Sequence, residues 1–225
     1  MIIFEDATKK KVQSKDYNYI FNKETGFFAR WGKTKEDDPQ MAPSPEILDI
    51  EITTKCDGVG GKLCPFCYKS NTPNGKNMSF ETFKKMIDKF PIYMQRTCIA
   101  EDNGKTTKRF VFSMPAEINE ENDKKMEAEI EAKGLRIVGY VQKPVHFLNQ
   151  VAFGADSKAK SNPDLWKMMD YCRTNGIIPN ITVAEINDET ADKLVEKCGA
   201  VAVSRVYISK NPIKLKKLKK ISSFI

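Results

Sequence analysis

The chain has a single histidine, His146, among its 225 residues. One imidazole cannot build a Cys2His2 zinc finger, a three-histidine zinc site or an HExxH helix. Any Ser-His-Asp or Cys-His relay would have to run through that one residue. Long apolar runs are missing as well: nothing approaches the roughly 18 residues of a membrane-crossing helix. The N-terminal MIIFEDATKKK sets its short apolar run ahead of its lysines, the reverse order of a secretory signal. These absences predict a soluble, cytoplasmic protein with no membrane span. Acid is absent from the last sixteen residues, where six lysines stand. The formal net charge of +7 is therefore a property of the tail: segments 1–91, 92–147 and 148–209 carry +2, 0 and −1. A nucleic-acid partner would have to be met through 210–225.

What is present is enough to fold. The apolar fraction is 40%, and the length suits one domain or two small ones. Residues 1–45 read as a β-rich lead, with YNYIFN and GFFARWG flanking a turn that needs Gly26 in a left-handed conformation. EILDIEITT alternates strongly and predicts a strand. Ser79 predicts an N-cap for the amphipathic helix FETFKKMIDKF, which Pro91 stops. From residue 148 onward strand and helix alternate: LNQVAFGAD, PDLWKMMDYCRTNG with Asn162 as cap, IIPNITV, DETADKLVEKCG and AVAVSRVYI. Short connections between these elements predict parallel βαβ units and an α/β fold.

Residues 92–147 interrupt this rhythm. RTCIAED and TTKRFVFSMP flank Asn103-Gly104, a hairpin signal, and a charged helix and the strand LRIVGYV follow. Such a ββαβ module reads as an insertion between a helix and a strand. That junction lies at the sheet edge opposite the strand C-termini where ligands bind, so the insertion is expected to serve stability or contacts.

Three of the six cysteines fall in CDGVGGKLCPFC: Cys56, Cys64 and Cys67. They follow the first strand of the α/β part, at its C-terminal end. Structural zinc asks for four protein ligands, and a disulfide fits neither the compartment nor an odd number. A 4Fe–4S cluster held by three thiolates keeps one iron open for a second cofactor. Zinc, or three thiols that merely pack, remain the alternatives on the residues alone.

Cys56 followed by CPFCY at 64–68 resembles the cluster motif of the radical S-adenosylmethionine (radical SAM) superfamily. The family spacing has three residues between the first two cysteines; here there are seven, a CX7CX2C loop. The lead, FGAD and NPDLWKMMDYCRTNGIIPNITV resemble phage-type members. The likeness covers 1–91 and 148–207. It implies a radical SAM enzyme with a partial (βα) barrel core at 46–91 and 148–209, shortened to about four units. Cys56, Cys64 and Cys67 would ligate the 4Fe–4S cluster, and Phe66 would lie near the adenine of S-adenosylmethionine. Gly154 and Asp156 of AFGAD would stand where the family meets the methionyl amine, and Ser204 and Arg205 where it meets the ribose and carboxylate. Asn180 and Thr182 are weaker candidates on the next strand. An electron donor such as flavodoxin or ferredoxin and an unknown substrate would complete the reaction.

Other features have plainer readings. Asp156 would alternatively cap the turn after its strand. Trp166, Met168, Met169 and Tyr171 are spaced as helix packing, Cys172 and Cys198 as small buried residues, and His146 as a surface histidine. The tail reads first as a further helix and second as a basic amphipathic segment meeting acidic partners. An open last strand invites pairing, so a partner subunit, an oligomer or the tail is expected on that edge. The competing functions are a truncated, non-catalytic iron–sulfur protein and a metal-stabilised module that binds nucleic acid through its tail.

Overall fold

The computed structural model describes residues 1–39, 41–102 and 108–204. One unit comprises Met1–Asn22, Phe27–Pro43 and Ile92–Val145; the other comprises Lys23–Gly26, Ser44–Pro91 and the described part of His146–Ile225. Among the described residues the protein is mixed α/β, with four helices and three sheets. No helix there is long and apolar enough to cross a membrane.

The first unit starts with an antiparallel meander, β1 (Ile2–Glu5), β2 (Lys9–Gln13), β3 (Asn18–Asn22) and β4 (Phe28–Trp31). Period-two alternation buries Ile3, Val12, Tyr19 and Phe21. Gly26 takes φ +73° in the turn between β3 and β4, the conformation that turn was expected to need. The module supplies β6 (Ile92–Asp102), β7 (Arg109–Met114), α2 (Glu120–Glu131) and β8 (Leu135–His146), in sheet order β7-β6-β8. Helix α2 is capped by Asn119, and its Ile130 closes over Cys98, Ala100 and Met114. Arg96 holds Asp123 of α2 through two hydrogen bonds of 3.2 and 2.7 Å. The expected hairpin joins β6 and β7; its Asn103-Gly104 turn lies outside the described residues. Lead and module form one unit here: Ile2 bridges Pro115, the Ala116 N–H donates to Met1 O at 2.8 Å, and the Glu5 N–H donates to Gln95 Oε1 at 2.7 Å. Nothing local in the sequence announces that pairing.

The second unit is a four-stranded parallel sheet in sequential order, β5 (Ile47–Glu51), β9 (Gln150–Gly154), β10 (Ile178–Val183) and β11 (Ala200–Val203). Helices α1 (Phe80–Ile87), α3 (Leu165–Thr174) and α4 (Asp188–Lys197) connect it. Phe83 stacks on Phe153 at 5.4 Å, and Ile50, Val151, Met168, Met169, Cys172, Val183 and Leu194 complete a buried core. Met168 and Met169 are thus packing residues, with Trp166 and Tyr171 against the same cluster. Among the described residues no barrel closes; β5 and β11 are the edges. The 210–225 tail lies outside the described residues.

One local expectation is extended and one is corrected. Asp164 precedes α3 without a side-chain cap bond of its own, and Asn162 closes the turn into the helix as expected: its Oδ1 accepts from the Asp164 N–H at 2.9 Å and its carbonyl from the Leu165 N–H at 3.2 Å. Asn162 is also buried, its amide donating to Ile52 O at 2.7 Å and to Met78 O at 2.9 Å. His146 is not a surface residue but 5% exposed. It ends β8 between buried Val145 and Phe147, at the point where the chain re-enters the parallel sheet. Entry and exit of the module are adjacent, since the Phe147 N–H donates to Pro91 O at 3.1 Å. They lie where β5 and β9 begin, which leaves the opposite, C-terminal end of those strands to the cysteine loop.

Candidate metal centre

The cysteine loop hangs from β5 by a short neck. The Thr54 N–H donates to Lys76 O at 2.9 Å, the Thr72 N–H to Thr54 O at 3.1 Å, and the Cys56 N–H to Thr72 O at 3.0 Å. Gly75 lets the two sides meet: a Cβ there would lie 2.1 Å from Thr54 O.

The first half of the loop is fastened to the ends of neighbouring strands. Cys56 Sγ accepts from the Gly58 N–H at 3.3 Å and lies 3.7 Å from Ser157 Oγ. The Ser157 hydroxyl donates to Gly58 O at 2.9 Å. Val59 and Lys62 pair through both backbone groups, and the Gly60 N–H donates to Glu185 Oε2 at 3.2 Å. Lys158 bridges Asp57 at 3.2 Å and Glu185 at 3.9 Å. Its ammonium, hydrogen-bonded to Asp57, holds that carboxyl below the usual range. Ion pairs this exposed contribute at most about 1 kcal/mol each; they position the loop rather than stabilise the sheet. Ser157, Lys158 and Glu185 escaped the sequence reading, although each lies in the segment just past the end of β9 or β10.

The second half turns on itself. The Cys67 N–H donates to Cys64 O at 3.1 Å, and the Ser70 N–H to Cys67 O at 3.3 Å. The backbone N–H of Asn71, helped by those of Lys69 and Ser70 and outweighing desolvation, holds the Cys67 thiol below its ordinary value. Phe66 is 58% exposed. Lys69, also missed, reaches back over the strand ends to Glu51 at 3.8 Å. A Cβ on Gly154 would lie 2.8 Å from the Lys69 Nζ and 3.1 Å from Glu51 Cα, so glycine there admits a close approach.

The other expected residues sit as follows. Asp156 is buried, and its carboxylate is committed to the next turn: Oδ2 accepts from the Lys158 N–H at 3.1 Å, Oδ1 from those of Lys160 and Ser161 at 3.0 and 2.9 Å. That is the turn-capping alternative, and these contacts show no free oxygen facing a cofactor. Asn180 spans strands, donating to Gln150 Oε1 at 2.7 Å and accepting from the Ala200 N–H at 2.9 Å. Thr182 is exposed. Ser204 extends β11, its N–H donating to Val183 O at 2.9 Å. Arg205 lies outside the described residues.

Among the described residues no three His, Cys, Asp or Glu side chains converge as a metal site, so Cys56, Cys64 and Cys67 share a loop without being drawn together. The donor chemistry nevertheless fits a thiolate-bound cluster. Three thiols stand on one glycine-rich loop; the Gly58 N–H is aimed at Cys56 Sγ, and the N–H groups of Asn71, Lys69 and Ser70 favour the deprotonated form of Cys67. The remaining thiols do not compete. Burial pushes Cys172 and Cys198 up to about 12 and raises Cys98. Iodoacetamide on the native, metal-free protein should therefore label Cys67 first and with the lowest pH midpoint, sparing Cys98, Cys172 and Cys198 until denaturant is added. Mass mapping of the alkylated peptides against time checks this order. No protein-family model, curated protein or solved structure matches the chain.

Proposed function

We propose that this chain is an iron–sulfur protein of the radical SAM kind, with a partial (βα) barrel core. Cys56, Cys64 and Cys67 hold a 4Fe–4S cluster at the C-terminal end of β5, and S-adenosylmethionine binds beside it. The observation that carries this reading is the loop itself: three thiols at the ligand-binding edge of a parallel sheet, with the Gly58 N–H directed at Cys56 and backbone N–H groups favouring the Cys67 thiolate. A cluster held there by Cys56, Cys64 and Cys67 would supply the one-electron reduction by which S-adenosylmethionine is cleaved for hydrogen abstraction from a substrate.

The chain's own residues ligate, orient and make room. Ser157 and Glu185 fix the Cys56 half of the loop against the sheet. Gly154 admits the close approach of the Lys69 ammonium at the strand end, and Phe66 offers an exposed ring and backbone toward the adenine. Lys69 brings a cation to the edge where the carboxylate of the cofactor is expected. Ser204 and Arg205 are candidates for the ribose end. A flavodoxin- or ferredoxin-type donor delivers the electron.

Anaerobic reconstitution with iron and sulfide tests this directly. The expected product binds about four irons per chain and shows the visible charge-transfer absorption of an iron–sulfur centre. Cys64→Ala should lose both. With dithionite and S-adenosylmethionine, the reconstituted protein should release 5′-deoxyadenosine. Uptake of zinc alone, or unchanged iron in Cys64→Ala, overturns the cluster; a cluster without cleavage leaves an iron–sulfur protein that is not an enzyme.

A further inference from the structure

Beside the cysteine loop, the same sheet edge carries a cleft of about 650 Å3, within the roughly 300–1,000 Å3 range of small-molecule sites. It opens between the segments that follow β9 and β10, with Gly60 of the loop on its rim. Its floor is apolar: Ala159, Ala184 and Ile186 are buried. One wall is the indole of Trp166, with the Lys193 ammonium 5.5 Å from its ring centroid.

Three lysines and two glutamates line this cleft. Glu189 is engaged by Lys193 at 2.8 Å, and Glu185 by Lys158 at 3.9 Å and by the Gly60 N–H at 3.2 Å. Lys160 is exposed, and its charge reaches Asp57, which Lys158 holds at 3.2 Å. Among the residues that line it, the cleft thus counts one cation more than its carboxylates, together with an aromatic wall and an apolar floor. We propose that it binds a flat heteroaromatic ring carrying an anionic group, with the ring against Trp166 and the anion on Lys160. A bare anion would leave the floor and the indole unused. A neutral ring would leave the lysine unanswered. Only the name substrate rests on the radical SAM reading, which puts the reactive centre at this edge; the binding itself does not.

The test uses metal-free full-length protein, so its outcome is separate from that of iron uptake. The chain has two tryptophans, and Trp31→Phe leaves Trp166 as the sole reporter. GMP and orotate are titrated as rings bearing a phosphate and a carboxylate; guanosine and inorganic phosphate are the controls. At least one ring-bearing anion should quench Trp166 saturably, more tightly than either control, and less tightly as salt rises. Which one does so names the anionic group. Lys160→Ala should weaken that ligand about tenfold, the loss of one charge-assisted contact. Trp166→Phe, with Trp31 retained, should show no quenching. The proposal is overturned if neither anion quenches, if guanosine equals GMP, or if Lys160→Ala binds as tightly as the parent.

Discussion

Glu5→Ala should cost the first unit about 3–5 kcal/mol, the usual penalty for removing one partner of a buried ion pair. Glu5 and Lys10 face each other directly across β1 and β2. The Glu5 carboxylate lies 3.7 Å from the Lys10 ammonium, and the Lys10 side chain is 0% exposed. Lys143 approaches the second carboxylate oxygen at 3.6 Å but is itself half exposed, so it relocates to water when the acid is gone. Lys10 has no such exit, and its charge stays in a low-dielectric site without that carboxylate. The double variant Glu5→Leu/Lys10→Met should recover most of the loss, because it removes both desolvation costs and fills the space. Urea unfolding in a Trp166→Phe background checks this, since the remaining Trp31 sits on β4 of the same unit. A single variant within 1 kcal/mol of its parent would contradict the burial argument.

Lys10 also shows where sequence reasoning stops. In KKKVQ the middle lysine shares the inward face of its strand with buried Val12, while Lys9 and Gln13 on the other face are exposed. Alternation assigns the face; only the pairing of β1 with β2 says that a lysine there meets Glu5. The same limit applies to His146 and to the burial of Asn162. Each is a polar residue at a connection, where local statistics favour the surface. Asn162 is buried because its amide reaches Ile52 O and Met78 O, 110 and 84 residues away in sequence, and His146 stands among the buried residues Val145, Phe147 and Leu148. Elements whose cause is local were legible: the Gly26 turn, the Ser79 cap, whose hydroxyl accepts from the Thr82 N–H, and the βαβ alternation. The grouping of lead and module was not, because it rests on β1 meeting β6 and β7 across some ninety residues of sequence, as Glu5 and Gln95 do.

The candidate site divides in the same way. The cysteines were legible because all three lie on one loop after one strand. Their positioning partners were not: Ser157 meets Gly58 across 99 residues and Glu185 meets Gly60 across 125. Asp156 lies in a motif position yet spends its carboxylate on its own turn, so residue type and place in the chain did not determine what it touches.

Gly58 is where loop geometry and the proposed function are most tightly joined, and Gly58→Ala should abolish iron uptake as fully as loss of a cysteine. Gly58 has φ +74°, and a Cβ there would lie 1.9 Å from Lys62 O, 2.3 Å from Lys62 C and 2.6 Å from Leu63 N. These are backbone atoms, which cannot swing aside as a side-chain tip does. The methyl must break the Val59–Lys62 pairing, and with it move the N–H that reaches Cys56 Sγ and the carbonyl that receives Ser157. Gly61 is the control. It has φ +78° but open space around its Cβ position, so Gly61→Ala pays only the left-handed conformation, about 1–2 kcal/mol, and should still take up iron. In the metal-free protein, trypsin should cut after Lys62 faster in Gly58→Ala than in Gly61→Ala, because only the former opens the small hairpin. If Gly58→Ala reconstitutes to full iron with an unchanged cleavage rate, the Cys56 half of the loop is not held by this geometry, and cluster assembly must depend on Cys64 and Cys67 closing on a freely placed Cys56.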